Sequence, residues 1–433
     1  MTTARVLLWG SDIGAVTWQD EKNLGVFQYT LDFARYGVEI APLMMPLRQA
    51  PYEFPSLSRE SFKGLPGLLA DSLPDKFGNA LIDAWLAGQG RSADSFNPVE
   101  RLCYTGSRGM GALEFKPAFK EAPQTSRQID IEALVELSNR ILGQRENMTG
   151  TFSGEDDQRV IEDILRVGTS AGGARAKAVL AFNEKTGRFK SGQIKAESGY
   201  SHWLMKFDGV DGNKDKELAD PLGFGRIEYA YSLMAREAGI FMSECRLHKE
   251  GGRAHFMTKR FDRTDGGEKL HMQSLGAMRH FDFNRPDAYS YEQALQTMRM
   301  LDLPVEDIEQ QIRRTAFNLM ARNQDDHVKN IAFLMNRRGT WRLSPAFDLA
   351  YSYNPDGAWT RHHQMSVNGK HDGFEVDDLI AFAAVAGFKK ARTLRLLEEV
   401  AEAVRNWSRH ADAAGMPAHD TSRIKASFRS DLM

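Results

Sequence analysis

Apolar residues recur along this chain with two different periods, and the change of period divides it. Near the start, "ARVLLWG" and "NLGVFQYTLDF" alternate in the manner of half-buried strands. They lead to "GSRGMGALEF", a glycine-dense turn entering a further strand. The polar run "KEAPQTSRQ" (120–128) reads as a linker before a helical "IDIEALVELSNRIL". From about residue 165 β-type sequence returns in "VLAF", "IKAES" and "HWLMKFDG", and beyond about 287 helices dominate. In "VEDIEQQIRRTAFNLMARN", Val305, Ile308, Ile312, Ala316 and Leu319 share one face at three- and four-residue steps. "NIAFLM", "NRRG" and "TWRLS" then spell a hairpin. Composition marks two loops, 209–225 and 353–373, and the closing "RHADAAGMPAHDTSRIKASFRSDLM" reads as a polar tail or frayed helix.

A chain of 433 residues predicts two or three domains or lobes. With 42% apolar and 26% charged residues it has the make-up of a globular protein. A net charge of −2 gives no field that would recruit nucleic acid to the whole molecule, so any contact with DNA is expected to pass through a partner. The two cysteines, Cys103 and Cys245, have no metal-ligand spacing and fit a reducing compartment. The start lacks the pattern of a signal peptide and no apolar run approaches the length of a membrane span, which predicts a cytoplasmic protein.

Chemistry concentrates where the long amphipathic helix stops, in "NQDDHVKN" (323–330). Asp325 and Asn330 are five residues apart, and Asp348 follows the hairpin 23 residues after Asp325. Helix, charged loop, hairpin and aspartate in this order match the catalytic half of a kinase, where one aspartate takes the hydroxyl proton and an asparagine and a second aspartate hold magnesium. Asp326 does not fit the five-residue step and ranks second. "FDL" lacks the glycine of ordinary protein kinases and "DDH" lacks the preceding His-Arg, so the expectation is an atypical kinase.

Upstream, "RVGTSAGGARAKAVLAF" places Gly168, Gly172 and Gly173 before an apolar run, which suits a phosphate-cradling turn but also a structural one. Lys206 ends the alternating "SHWLMK", with Glu228 on the following helix as its candidate partner and Glu237 as the fallback. "HFMTKRFDRT" (255–264) stands where a hinge would hydrogen-bond adenine through its backbone. His362, His363 and His371 sit in a loop with no carboxylate at ligand spacing and read as ordinary loop residues.

Taken together, "SAGGARAKAVL", "TKRFDR", "DDHVKN" and "FDLAYS", with "LLADSLPDKFGN" and "GSRGMGALEF" before them, resemble the HipA family of bacterial serine/threonine kinases, the toxin half of toxin–antitoxin pairs. The resemblance runs over nearly the whole chain. It implies an α+β, atypical protein-kinase-like fold with a β-rich N-terminal part (1–118), linker helices and a kinase N-lobe (119–262), and an all-α C-terminal lobe (263–433), with the ATP cleft between lobes. Carried over by position, Asp325 matches the catalytic aspartate, with His327 beside it, and Asn330 and Asp348 match the magnesium ligands. ATP contacts fall on Gly168, Ser170, Ala171, Gly172, Gly173, Lys177, Lys206, Glu228, Lys259, Phe261 and Lys329.

Ser170 matches the serine the family autophosphorylates; two added negative charges there would oppose ATP phosphates and shut the enzyme off. As a plain reading, Ser170 is equally a turn-former. The resemblance also implies ATP and Mg²⁺ as cofactors, a protein substrate such as an aminoacyl-tRNA synthetase, and a small helix-turn-helix antitoxin through which DNA is reached. The competing reading is a kinase-fold scaffold that serves such an antitoxin as co-repressor without catalysis.

Overall fold

The computed structural model describes residues 1–117, 129–143, 175–192, 199–210, 222–264 and 266–432. Its strands are β1 (Thr3–Leu8), β2 (Ser11–Gln19), β3 (Leu24–Tyr29), β4 (Leu113–Lys116), β5 (Lys177–Asn183), β6 (Arg188–Ser191), β7 (Ser201–Lys206), β8 (Cys245–Glu250), β9 (Arg253–Lys259), β10 (His271–Ser274), β11 (Tyr289–Ser290), β12 (Ala332–Met335), β13 (Trp341–Leu343) and β14 (Met365–Ser366). The first four form an antiparallel sheet in the order β3-β2-β1-β4, as the alternating runs at the start require. Helices Lys76–Gly88 and Pro98–Thr105 lie between β3 and β4 in sequence, so this part is mixed rather than simply β-rich.

A second antiparallel sheet has the order β6-β5-β7-β9-β8. Its core is shared with helices Lys76–Gly88 and Ile131–Gly143: Phe77, Leu81, Leu134, Leu180, Trp203 and Met205 pack in one cluster. The early helix therefore belongs, by packing, with the later sheet.

Beyond residue 263 helices prevail, but this part is not all-α. β10, β12 and β13 make a three-stranded sheet, and β11 pairs with β14 in parallel. The hairpin β12–β13 cannot stand alone with its edge open; β10 covers that edge and completes a stable sheet.

The closing segment is no tail. Helices Trp407–Ala414 and Ala418–Ser427 pack on the body, and Trp407, Ile424, Phe428 and Leu432 are buried. A few large apolar groups dock these helices even though their composition is polar. Of the two loops, 353–373 carries β14, and 211–221 of the other lies outside the described residues. Among the described residues no helix is long and apolar enough to cross a membrane.

Candidate active site

Three elements meet at the ammonium of Lys206. It is the last residue of β7, a strand with neighbours on both sides, and it is buried. The helix Phe224–Glu237 crosses this sheet closely because Gly225 has no side chain; a Cβ there would lie 2.0 Å from the Ala254 carbonyl oxygen. That approach brings the buried Glu228 to Lys206, with Oε1 2.5 Å from Nζ. From the loop after the hairpin, Asp348 Oδ1 accepts from the same ammonium.

Asp348 has φ 53, a left-handed conformation that aspartate tolerates better than most residues. Burial alone would lower the pKa of Lys206, but the Asp348 and Glu228 carboxylates outweigh it and hold it above its ordinary value. At Asp348 burial pushes upward, and the charges of Lys206 and then Lys177 more than cancel it, keeping the carboxylate ionised. The fallback partner Glu237 faces elsewhere, toward Arg409, Asn406 at 2.7 Å and His410 at 3.0 Å.

The adjacent aspartates of "DDH" part company. Asp326 is buried and accepts hydrogen bonds from the Tyr291 hydroxyl at 2.7 Å, the Gln364 backbone N–H at 2.8 Å and His363 Nδ1 at 2.7 Å. Arg429 Nη1 lies 2.9 Å from His363 Nε2, and a guanidinium only donates, so Nε2 accepts and His363 is the neutral Nδ1–H tautomer. Its pKa agrees, lowered by burial against the pull of Asp326.

Asp325 stays about half exposed and accepts from Trp359 Nε1 at 3.0 Å. Its backbone carbonyl accepts from Asn330 Nδ2 at 2.7 Å, which ties the two ends of the five-residue step together. His327 Nε2 stands 4.0 Å from Asp325 Oδ1. His327, Asn330 and Asp348 line one cavity with Asp326 and Arg314.

One ionised carboxylate and one amide oxygen, with Asn330 oriented by its Nδ2 bond, form the hard-oxygen pair that Mg²⁺ takes together with phosphate and water. These residues fit such an ion. Among the described residues no cluster of three or more His, Cys, Asp or Glu could hold a metal unaided.

Lys177 lies directly across from Lys206 in the β5–β7 register, and its Nζ is 3.0 Å from Asp75 Oδ2, both groups buried. Asp75 also caps helix Lys76–Gly88, accepting from Gly78 N–H at 2.7 Å. Lys329 Nζ rests 4.3 Å from the Phe283 ring centroid, and its charge acts on Asp71 and Asp75, whose pKa values burial nevertheless raises. Lys259 ends β9 with its N–H committed to Glu244 O at 2.8 Å, while the Phe261 ring lies 5.5 Å from that of Phe347, next to Asp348. Gly168, Ser170, Ala171, Gly172 and Gly173 lie outside the described residues.

Residue patterns alone missed Trp359, His363, Arg429 and Asp75. The first three lie in segments read as loop or tail, and Asp75 lies within "LLADSLPDKFGN" with no lysine at a telling spacing.

Two family models match the chain: the HipA N-terminal domain over residues 4–116 and the HipA-like C-terminal domain over 169–407. A Sinorhizobium fredii protein named "Putative kinase Y4dM" is 25% identical over 263 residues, which is 58% of this chain and 62% of that one. The chain thus spans less than two thirds of that relative. Among solved structures, the Shewanella oneidensis MR-1 toxin–antitoxin complex of HipA, HipB and operator DNA matches with a TM-score of 0.66 and 18% identity, over 99% of this chain and 95% of that one. At that identity the likeness speaks for the fold, while the C-terminal domain model takes in Lys177, Lys206, Glu228 and the whole run from Asp325 to Asp348. By those matches this chain is a member of the HipA family.

Proposed function

We propose that the chain is an ATP–Mg²⁺-dependent serine/threonine protein kinase, acting in the cytoplasm as the toxin half of a toxin–antitoxin pair. The observation that carries this reading is the placement of Lys206 between Glu228 and Asp348, which joins sheet, helix and post-hairpin loop at one charge. Lys206, with Lys177 on the neighbouring strand, would bind the nucleotide phosphates. Asp348 and Asn330 would hold Mg²⁺, which supplies neutralisation of the phosphate charge. Asp325, the exposed member of its pair, would accept the proton of the attacking hydroxyl as the γ-phosphorus bonds to that oxygen and its bond to the β-phosphate oxygen breaks.

The same reading extends to autophosphorylation at Ser170, to a protein substrate such as an aminoacyl-tRNA synthetase, and to a small helix-turn-helix antitoxin that carries the contact with DNA. The Shewanella complex, with HipB and operator DNA, supports the last of these.

The test is transfer from γ-labelled ATP with Mg²⁺, comparing wild type with Asp325→Asn. Label on the wild type alone, with equal thermal midpoints, is the expected result. Equal labelling of both would remove Asp325 from the reaction. No label on a wild type whose intact mass carries no phosphate would favour the scaffold instead.

A further inference from the structure

The carboxylate proposed to take the hydroxyl proton is already held on one side, by a residue 34 positions away in sequence. Trp359 Nε1 donates to Asp325 Oδ1 at 3.0 Å. The indole is itself fixed by the segment that follows it: Gln364 Nε2 donates to the Trp359 carbonyl, and Gln364 N–H donates to Asp326 Oδ1 at 2.8 Å. His363, between them, donates to Asp326 Oδ2 at 2.7 Å and is backed by Arg429. The segment 359–364 is therefore fastened to both aspartates of the catalytic loop. Asp326 anchors its far end in the interior, and Asp325 receives the indole at the surface of the cleft.

We infer that Trp359 is a positioning residue for Asp325. This rests on the kinase reading given above. A carboxylate free to rotate about its last torsion spreads its lone pairs over a wide arc. An indole N–H on Oδ1 fixes the plane of the carboxylate and leaves Oδ2 as the oxygen presented to the incoming hydroxyl. Tryptophan suits this role because its N–H only donates and so does not compete for the substrate's proton. The half-buried ring also stands beside the place the acceptor hydroxyl must reach, so it narrows the approach as well as orienting the base. The role of Asp326 follows: it holds the segment that holds its neighbour, which explains two adjacent aspartates with opposite burial.

The experiment compares wild type, Trp359→Phe and Asp325→Asn in transfer from γ-labelled ATP, onto the chain itself and onto myelin basic protein. Trp359→Phe keeps an aromatic ring and removes the donor. Its maximal rate should fall about tenfold, the worth of one hydrogen bond to a charged acceptor. The half-saturating ATP concentration should stay within about twofold, because the nucleotide lies on the lysine side of the site. A merely structural role would move the thermal midpoint and both kinetic constants together.

A second readout needs no activity. In ¹⁵N spectra the indole cross-peak absent from Trp359→Phe should move in Asp325→Asn. A wild type that transfers phosphate, with Trp359→Phe at the same maximal rate or the indole peak unmoved by Asp325→Asn, overturns the inference and leaves the kinase reading standing. A wild type whose intact mass carries no phosphate and which still transfers nothing overturns both.

Discussion

Lys206 carries two obligations, since one buried and one partly buried carboxylate share its one ammonium. Glu228 comes from a helix and Asp348 from the loop after the hairpin, so removal of the lysine costs the fold as well as the proposed nucleotide contact. Lys206→Met is expected to lose about 3 kcal/mol in urea unfolding, the scale for stranding buried charge, and to abolish the calorimetric signal of Mg·ATP binding. Lys206→Arg should recover much of the stability, because a guanidinium still meets both carboxylates, and little of the binding, since its planar fork is longer than an ammonium. If Lys206→Met titrated Mg·ATP like the wild type, the lysine would have no place in the nucleotide site.

At the scale of elements, Arg429 serves the loop that carries Asp325 and Asp326. Arg429 donates to the Leu319 carbonyl at 2.7 Å and to His363, and pairs with Asp372 at 2.5 Å. It thus stitches helix Val305–Met320 to the segment that clamps Asp326. Arg429→Met should destabilise by about 2–3 kcal/mol, since it strands two buried acceptors, and should raise the pKa of His363, now held down by burial and, among nearby charges, by Arg429. Urea midpoints and a histidine NMR titration measure the two effects; an unchanged His363 titration would remove Arg429 from this network.

What the sequence made legible is what lies close together along the chain. Asp325, Asn330 and Asp348 are read from local spacing because one loop and one hairpin hold them, and the Lys206–Glu228 pair from a strand followed by a helix. Trp359, His363 and Arg429 reach the site across 34 residues or more, through an irregular segment and a helix pair with sparse apolar anchors, so no period announces them. Asp75 was hidden for a different reason: its partner Lys177 lies across the sheet on a separate stretch of chain.

At the scale of the whole molecule, the larger hydrophobic cluster runs from Ala4 to Leu432, and the N-terminal and later parts are joined over it by buried and partly buried polar contacts. Asp262 accepts from Gly111 N–H at 2.7 Å, Asp71 from Ser274 N–H at 2.7 Å, and His280 Nε2 from Gly67 N–H at 3.0 Å. His271 sits 3.1 Å from the Ile40 carbonyl across the same junction, and within the later part His255 Nδ1 accepts from Asp208 N–H at 3.0 Å. The acceptor roles of His280 and His255 need neutral rings. Burial lowers His202, His255, His271 and His280 from 6.5 to about 4.

A histidine neutral in the fold but protonated when unfolded stabilises fully above about pH 6.5, and that contribution drains away as pH falls toward about 4. Each is worth up to roughly 3 kcal/mol at the lower end. Asp71 and Asp75 act in the opposite sense, because burial raises their pKa and protonation relieves it, but two groups offset four only in part. Urea midpoints should therefore fall steadily from pH 6.5 to 5, before ordinary carboxylates titrate. His280→Gln, which keeps an acceptor for the Gly67 N–H without the titration, should flatten that slope. A midpoint constant from pH 7 to 5 would mean that these rings titrate in the fold as they do in the unfolded chain, and the acceptor roles of His280 and His255 would need another account.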